Sequence, residues 1–328
     1  MRYSCARLGL LVSLLIASSA SAVTVAWTAI ANSGNAADTQ VMVDGTSGYG
    51  AVSYAYWIGS YEVTNAQYVE FLNAKAQSDP LELYHWEMAP SEPAPYSGSI
   101  IQSGSLGNYT YSVAPGRENV PVNDVTFFNV LRFVNWMNNG QGDADTETGS
   151  YTLLGGTPTP SNATTVTRNP GAGIVLASEN EWYKAAYYDP STASYFDYPT
   201  ASNTLPACTA PTAAPNSANC DPGPGFAVPS LVPGGSYPGS PSPYGTFDQG
   251  GNVFEWNESA ITDLSRGMRG GSNIDSAIAL HAAGRNSASA DSTVFFLGFR
   301  LAYGPEPSTG VLVMAGLLGL TGWRRGRA

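Results

Sequence analysis

The 328 residues carry a formal net charge of −11, only 12% of them are charged, and glycine (36) and proline (23) are abundant. That balance excludes the basic patch that nucleic-acid binding needs. It fits a loop-rich extracellular fold better than a helical bundle or a disordered chain. The length allows one large domain or two small ones.

Residues 1–22 pass from basic (Arg2, Arg7) through an apolar run at 8–17 to the small residues Ala20, Ser21 and Ala22. This is the order of a secretory signal, with cleavage expected after Ala22. The apolar run is shorter than the roughly 20 residues that a bilayer core requires. Residues 23–304 follow as the exported body. It holds nine of the fourteen Lys and Arg and nearly all the acids, so it is more acidic than the whole chain.

Within the body, residues 41–61 alternate weakly and predict short strands and turns. Thr64 and Gln67 have the spacing of a capping box, opening a short helix with Tyr68, Phe71 and Leu72 on one face. Residues 78–118, dense in Pro, Ser, Gly and Tyr, predict a long irregular surface excursion. In 121–140 the spacing of Val130, Phe133, Val134 and Met137 predicts the clearest helix, which Gly140 is placed to end. Ser178 and Glu181 form a second capping-box pattern before Trp182, Ala185 and Ala186, in a helix expected to stop at Asp189 and Pro190. From 190 to 243 Pro and Gly allow only loops and brief strands. No fixed-period repeat occurs, which argues against a solenoid.

Cys5 leaves with the signal, so the body keeps Cys208 and Cys220. Two thiols twelve positions apart in an oxidising compartment predict one disulfide, which contributes on the order of 3 kcal/mol in the chain-entropy model. Spacing alone leaves a metal-binding or catalytic pair open, although no His lies near them.

Six segments in order resemble the formylglycine-generating enzyme (sulfatase-modifying factor) family: residues 58–65 (IGSYEVTN), 121–126 (PVNDVT) with the following helix, 176–182 (LASENEW), 244–256 (YGTFDQGGNVFEW), 269–272 (RGGS) and 298–300 (GFR). The resemblance covers about residues 40–302. It implies a single loop-rich α+β domain, distantly like C-type lectins, with few short helices and short strands. Function must still be argued from the site.

In catalytic members of that family two cysteines bind copper and activate oxygen to oxidise a substrate cysteine to formylglycine. The positions matching them here are Ser276 and His281, and no Cys follows Cys220. Thiolates are what select Cu(I), so the resemblance implies a member without the copper pair and with no catalytic residues. The iron-dependent sulfoxide-synthase relatives need several histidines, and this chain has two, His85 and His281. Ser276 and His281 as nucleophile and base would lack a third group; they read as polar pocket residues.

The resemblance also implies one structural calcium ion on the 244–256 segment. Its ligands fall on the side chains of Asp248 and Glu255 and the carbonyls of Gly251 and Val253, an oxygen set of the kind calcium takes. Asp248 stands where better-known members have Asn. The alternative is that Glu255 pairs with Arg269 or Arg300. A second calcium site would start at Asn219 and the carbonyl of Cys220, but its downstream Asp partner is missing between 222 and 237. Of the aromatic residues, Trp182, Trp256, Phe299, Tyr187 and Tyr188 are expected in the core. Tyr84, Trp86, Tyr96, Tyr109 and Tyr111 are expected to be exposed, where amphipathic rings can meet sugars or proteins.

The tail has Pro-Glu-Pro-Ser at 305–308, an apolar stretch at 309–323 and Arg324, Arg325 and Arg327. Basic residues after an apolar span stay cytoplasmic. The order resembles the PEP-CTERM sorting signal of Gram-negative bacteria, which implies an exosortase-type processing enzyme and a membrane-held stage before processing. A plain membrane anchor is the alternative. The expected function is a non-catalytic binding or structural module at the cell envelope or exopolysaccharide matrix, with matrix polysaccharide or envelope proteins as partners. The competing expectations are a divergent formylglycine-generating oxidase, an accessory factor for sulfatase maturation, and a membrane-retained adhesin.

Overall fold

Helices begin where a side chain can satisfy their free N–H groups, and the sequence offers such caps at Thr64, Thr126 and Ser178. The computed structural model describes residues 22–90, 98–223 and 230–304. Among these, three α-helices start at those caps: α1 (Asn65–Lys75), α2 (Phe127–Asn138) and α3 (Glu179–Tyr187). Both predicted capping boxes close. Thr64 accepts from the Gln67 N–H at 3.3 Å while Gln67 accepts from the Thr64 N–H at 2.9 Å. Ser178 and Glu181 do the same at 3.2 and 2.7 Å.

The strands are short. β1 (Trp27–Ile30) and β2 (Tyr56–Gly59) pair antiparallel, so only the end of the 41–61 segment is strand. β3 (Ile100–Ser103) and β4 (Thr110–Val113) form a hairpin. β5 (Ile174–Leu176) precedes α3. Two small pairs, β6 (Tyr188–Asp189) with β7 (Ser194–Tyr195) and β8 (Ala207–Cys208) with β9 (Ser217–Ala218), punctuate the Pro/Gly-rich region. β10 (Phe254–Ala260), β11 (Ser265–Arg269), β12 (Asn286–Ser289), β13 (Leu297–Gly298) and β14 (Leu301–Tyr303) complete the fold. They build two four-stranded sheets, ordered β1-β2-β14-β5 and β12-β11-β10-β13. The last strand lies between β2 and β5, so the two ends of the body share one sheet. The architecture is the expected loop-rich α+β domain.

The core forms around α2, of which every residue from Phe127 to Met137 is buried. Phe71, Phe133, Trp136 and Phe299 interlock with ring centroids 5.4–5.8 Å apart. Each such aromatic pair contributes about 1 kcal/mol beyond its buried area. Arg132 is fully buried on the same helix. It is tolerated because its fork meets Glu147 at 2.6 Å and the carbonyls of Thr157 and Pro158 at 2.7 and 2.8 Å.

The excursion at 78–118 is less irregular than its composition implies. Its hairpin packs on α1, where Asn73 exchanges hydrogen bonds with the Tyr111 backbone at 2.8 and 2.9 Å. Tyr111 is therefore buried, not exposed, and its hydroxyl donates to the Ala76 carbonyl at 2.8 Å. No helix among the described residues is long and apolar enough to cross a membrane. The leader up to residue 21, Tyr96 and the tail beyond residue 304 lie outside the described residues.

Candidate functional site

The six motif segments meet through buried hydrogen bonds. Arg300, fully buried, grips Glu255 with Nε and Nη2, both at 2.6 Å, and donates to the carbonyls of Gly59 and Phe247 at 3.0 Å. The Trp182 indole donates to Glu255 Oε2 at 2.7 Å. Trp256 donates from its indole to the Val125 carbonyl at 3.1 Å. Arg269 goes elsewhere, to Glu179 at the start of α3, where Arg285 and Ser259 also bind. Burial works against the Glu179 charge, but the Arg285 hydrogen bond and the nearby Arg269 outweigh it and lower its pKa.

This wiring bears directly on the implied calcium set. Glu255 has both oxygens engaged and is fully buried against a bidentate guanidinium. Those bonds take three of the roughly four acceptor positions of a carboxylate, and opening the buried pair would cost about 3–5 kcal/mol. Asp248 lies elsewhere in the cluster, accepting from the Gly235 N–H at 2.6 Å. Gly251 is needed where it stands: its φ is +82°, and a Cβ there would meet the Asn219 carbonyl at 2.3 Å. That close approach brings Asn219, where the second implied calcium site would start, against the segment that carries Asp248.

Sequence reasoning passed over Glu62, which sits inside the first motif and is only 3% exposed. Its Oε1 accepts from Asn252 Nδ2 at 3.2 Å, and its Oε2 is buried without a hydrogen-bond partner. Burial first, and then the charge of Asp248, push the Glu62 pKa well up. Burial likewise raises Asp248 to about 6. Asn252 Oδ1 in turn accepts from Asn219 Nδ2 at 3.1 Å, and Asn219 Oδ1 is also buried and unpartnered. A lone Glu beside a capping box gave no signal in the sequence.

A second overlooked acid is Asp124. It is 1% exposed, adopts φ +58°, and neither carboxyl oxygen has a partner. Burial, reinforced by Glu87, raises its pKa to about 7.

Ser276 and His281 cap opposite ends of a 3-10 turn, Ala277–Leu280. His281 Nδ1 accepts from the Ala283 N–H at 3.0 Å, Nε2 faces Asp197 at 3.9 Å, and the ring packs edge-on against Tyr198. The imidazole is thus positioned by its own loop rather than as a base for Ser276. Cys208 and Cys220 form the predicted disulfide, with Cα atoms 4.8 Å apart. Trp182, Trp256, Phe299, Tyr187 and Tyr188 are buried as expected, whereas Trp86 is 72% exposed and Tyr84 and Tyr109 are half-buried.

Solved structures with the same fold include CarF, at 18% identity and a TM-score of 0.56, covering 86% of this chain and 99% of that one. Treponema denticola variable protein 1 aligns at 19% identity and a TM-score of 0.55, covering 88% and 98%. PvdO from Pseudomonas aeruginosa aligns at 16% identity and a TM-score of 0.48, covering 85% and 94%. No curated protein sequence matches the chain. The sulfatase-modifying factor enzyme 1-like domain matches residues 35–304, and the chain belongs to that family.

Proposed function

We propose that this protein is an exported, non-catalytic member of its family, acting as a binding or structural module at the cell envelope or exopolysaccharide matrix. One observation carries the non-catalytic reading. The two cysteines of the body are bonded to each other in Cys208–Cys220, and Ser276 and His281 stand at the positions matched to the copper ligands. A hydroxyl and one imidazole are not the thiolate pair that holds Cu(I). The disulfide also suits an oxidising compartment, which agrees with the leader and with the sorting tail processed by an exosortase-type enzyme. Calcium in this reading stabilises loops and takes no part in chemistry. Trp86, exposed and with its ring centroid 5.6 Å from that of His85, is the candidate contact for a glycan or protein surface.

Two measurements test the reading. A peptide with a Cys-x-Pro-x-Arg sulfatase sequence is incubated with protein and copper and then weighed; conversion of its cysteine to formylglycine would restore the oxidase alternative. Purified protein is then titrated against matrix polysaccharide from the source organism, with calcium and with chelator. Saturable binding supports the matrix role, and its absence in both conditions removes it.

A further inference from the structure

Four charged side chains meet where α2 backs onto β10 and β11. Arg168 binds Glu181 through Nη1 at 3.0 Å and Nη2 at 2.7 Å, and Glu258 through Nε at 2.8 Å. Arg266, on β11, lies within electrostatic reach of Glu258. Two guanidinium groups thus face two carboxylates, and neither sign is in excess. The hydrogen bonds are less complete than the charges. Arg266 is 2% exposed, and its one hydrogen bond among the described residues runs from Nη2 to the Ala163 carbonyl at 2.9 Å. Its Nε is buried without a partner. The guanidinium lies 4.9 Å from the centroid of the Phe127 ring, a contact that suits its charge and leaves the Nε donor unused. Glu258 has the complementary gap. Its Oε1 takes Arg168 and the Tyr151 hydroxyl, while Oε2 accepts no hydrogen bond among the described residues and the side chain is 19% exposed. A buried donor without a partner is costly, and native folds leave few of them.

Arg266, Glu258 and Arg168 line one cavity of about 250 Å³, walled by the buried Phe127, Leu131 and Val166 and lined also by the solvent-exposed Thr167. Pockets for drug-sized molecules start near about 300 Å³, so this one suits a single ring. A cation entering it would meet two arginines, and no three His, Cys, Asp or Glu side chains gather to hold a metal among the described residues. An anion would meet Glu258. A neutral group that both accepts and donates hydrogen bonds meets neither penalty. Neighbouring hydroxyls on a sugar ring have that character: one oxygen accepts from Arg266 Nε, the other donates to Glu258, and the C–H face of the ring packs on the apolar wall.

We propose that the cavity between α2, β10 and β11 is a subsite for one neutral sugar ring, recognised through a pair of hydroxyls by Arg266 as donor and Glu258 as acceptor. The assignment deepens the glycan-binding reading given above, on which it rests for the choice of a sugar, and it places this contact apart from Trp86.

The test titrates the exported protein with glucose, galactose and mannose, and with glucuronate as the charged comparison, following the sugar resonances by NMR; matrix polysaccharide is titrated in parallel. At least one neutral hexose is expected to bind wild type with about millimolar affinity, the scale for so small a ligand, and glucuronate more weakly. Arg266→Met removes the donor and should weaken hexose binding about tenfold or more. Thr167→Trp serves if that variant fails to fold: it fills the cavity from an exposed position and should abolish hexose binding at an unchanged melting temperature. Trp86→Ala should leave hexose binding as it is. Glucuronate binding more tightly than every neutral hexose would overturn the assignment, as would a Thr167→Trp protein that binds hexose like wild type. No binding of any monosaccharide would mean a cavity that holds water alone, and would overturn it too. The two readings fail separately: a hexose bound in the predicted way without polysaccharide binding removes the matrix role and keeps the subsite, whereas polysaccharide binding untouched by Thr167→Trp, with no hexose bound, keeps the matrix role and removes the subsite.

Discussion

Replacing Asp124 by Asn isolates the cost of one buried carboxylate. The side chain is 1% exposed, both oxygens lack partners, and Glu87 adds repulsion. Asn is a conservative test because it keeps the shape and tolerates the φ of +58° found here. The folded-state pKa is raised to about 7 from 3.8, so the folded state holds this proton more tightly than the unfolded chain does. Below pH 4 both states are protonated and nothing is lost. As pH rises toward 7 the folded state must either retain the proton or bury a charge, and stability falls by about 1.4 kcal/mol per pH unit. The span of roughly three pH units makes the full penalty about 4 kcal/mol. Urea denaturation of wild type and Asp124→Asn between pH 4 and 8 reads it directly, as a difference in stability that grows with pH and levels off above 7. The amide's own unpartnered groups offset the curve by about 1–3 kcal/mol at every pH, so the slope is the observable and not the absolute difference. Titration of Asp248 and Glu62 occurs in both proteins and cancels. Parallel curves from pH 4.5 to 8 would refute the reasoning.

Arg300→Met should cost about 3–5 kcal/mol in urea denaturation, because it strands Glu255 in a buried site. Cys208→Ser with Cys220→Ser should lower stability by about 3 kcal/mol, and adding reductant to the wild type should reproduce the loss. Ser178→Ala removes the cap of α3 and should cost about 1 kcal/mol, a loss that a matched Thr64→Ala would repeat at α1. Trp86→Ala should leave the melting temperature within a degree or so of wild type, since the ring is exposed, while weakening any binding to matrix polysaccharide. Unchanged binding would assign that ring no role.

The starts of α1 and α3 were legible because a capping box is local: Thr64 with Gln67 and Ser178 with Glu181 lie three residues apart and need nothing from the rest of the chain, whereas the start of α2 at Thr126 has no such box and was not read. The disulfide was legible for a similar reason, as the body has only two cysteines. The hairpin of β3 and β4 was not, because what orders it comes from elsewhere. Asn73 on α1 holds the Tyr111 backbone, and no pattern within 78–118 announces that partner. Asp124 was equally hidden, since a missing hydrogen bond is a property of the surroundings and not of the PVNDVT string.

The choice of partner for Glu255 lies where residue-by-residue transfer meets its limit. The sequence offered Glu255 two arginines, and composition could not choose between them. The fold chooses by competition: Glu179 at the head of α3 takes Arg269 and Arg285, which leaves Arg300 to Glu255. Once that pair closes, the charge of Glu255 is balanced by Arg300, and the remaining negative charge is concentrated on Glu62 and Asp248. An Asp at 248, where better-known relatives have Asn, raises that charge further. A substitution that looks like the preservation of one oxygen thus alters the charge balance of the whole cluster around Arg300, and burial together with Asp248 pushes the Glu62 pKa well up.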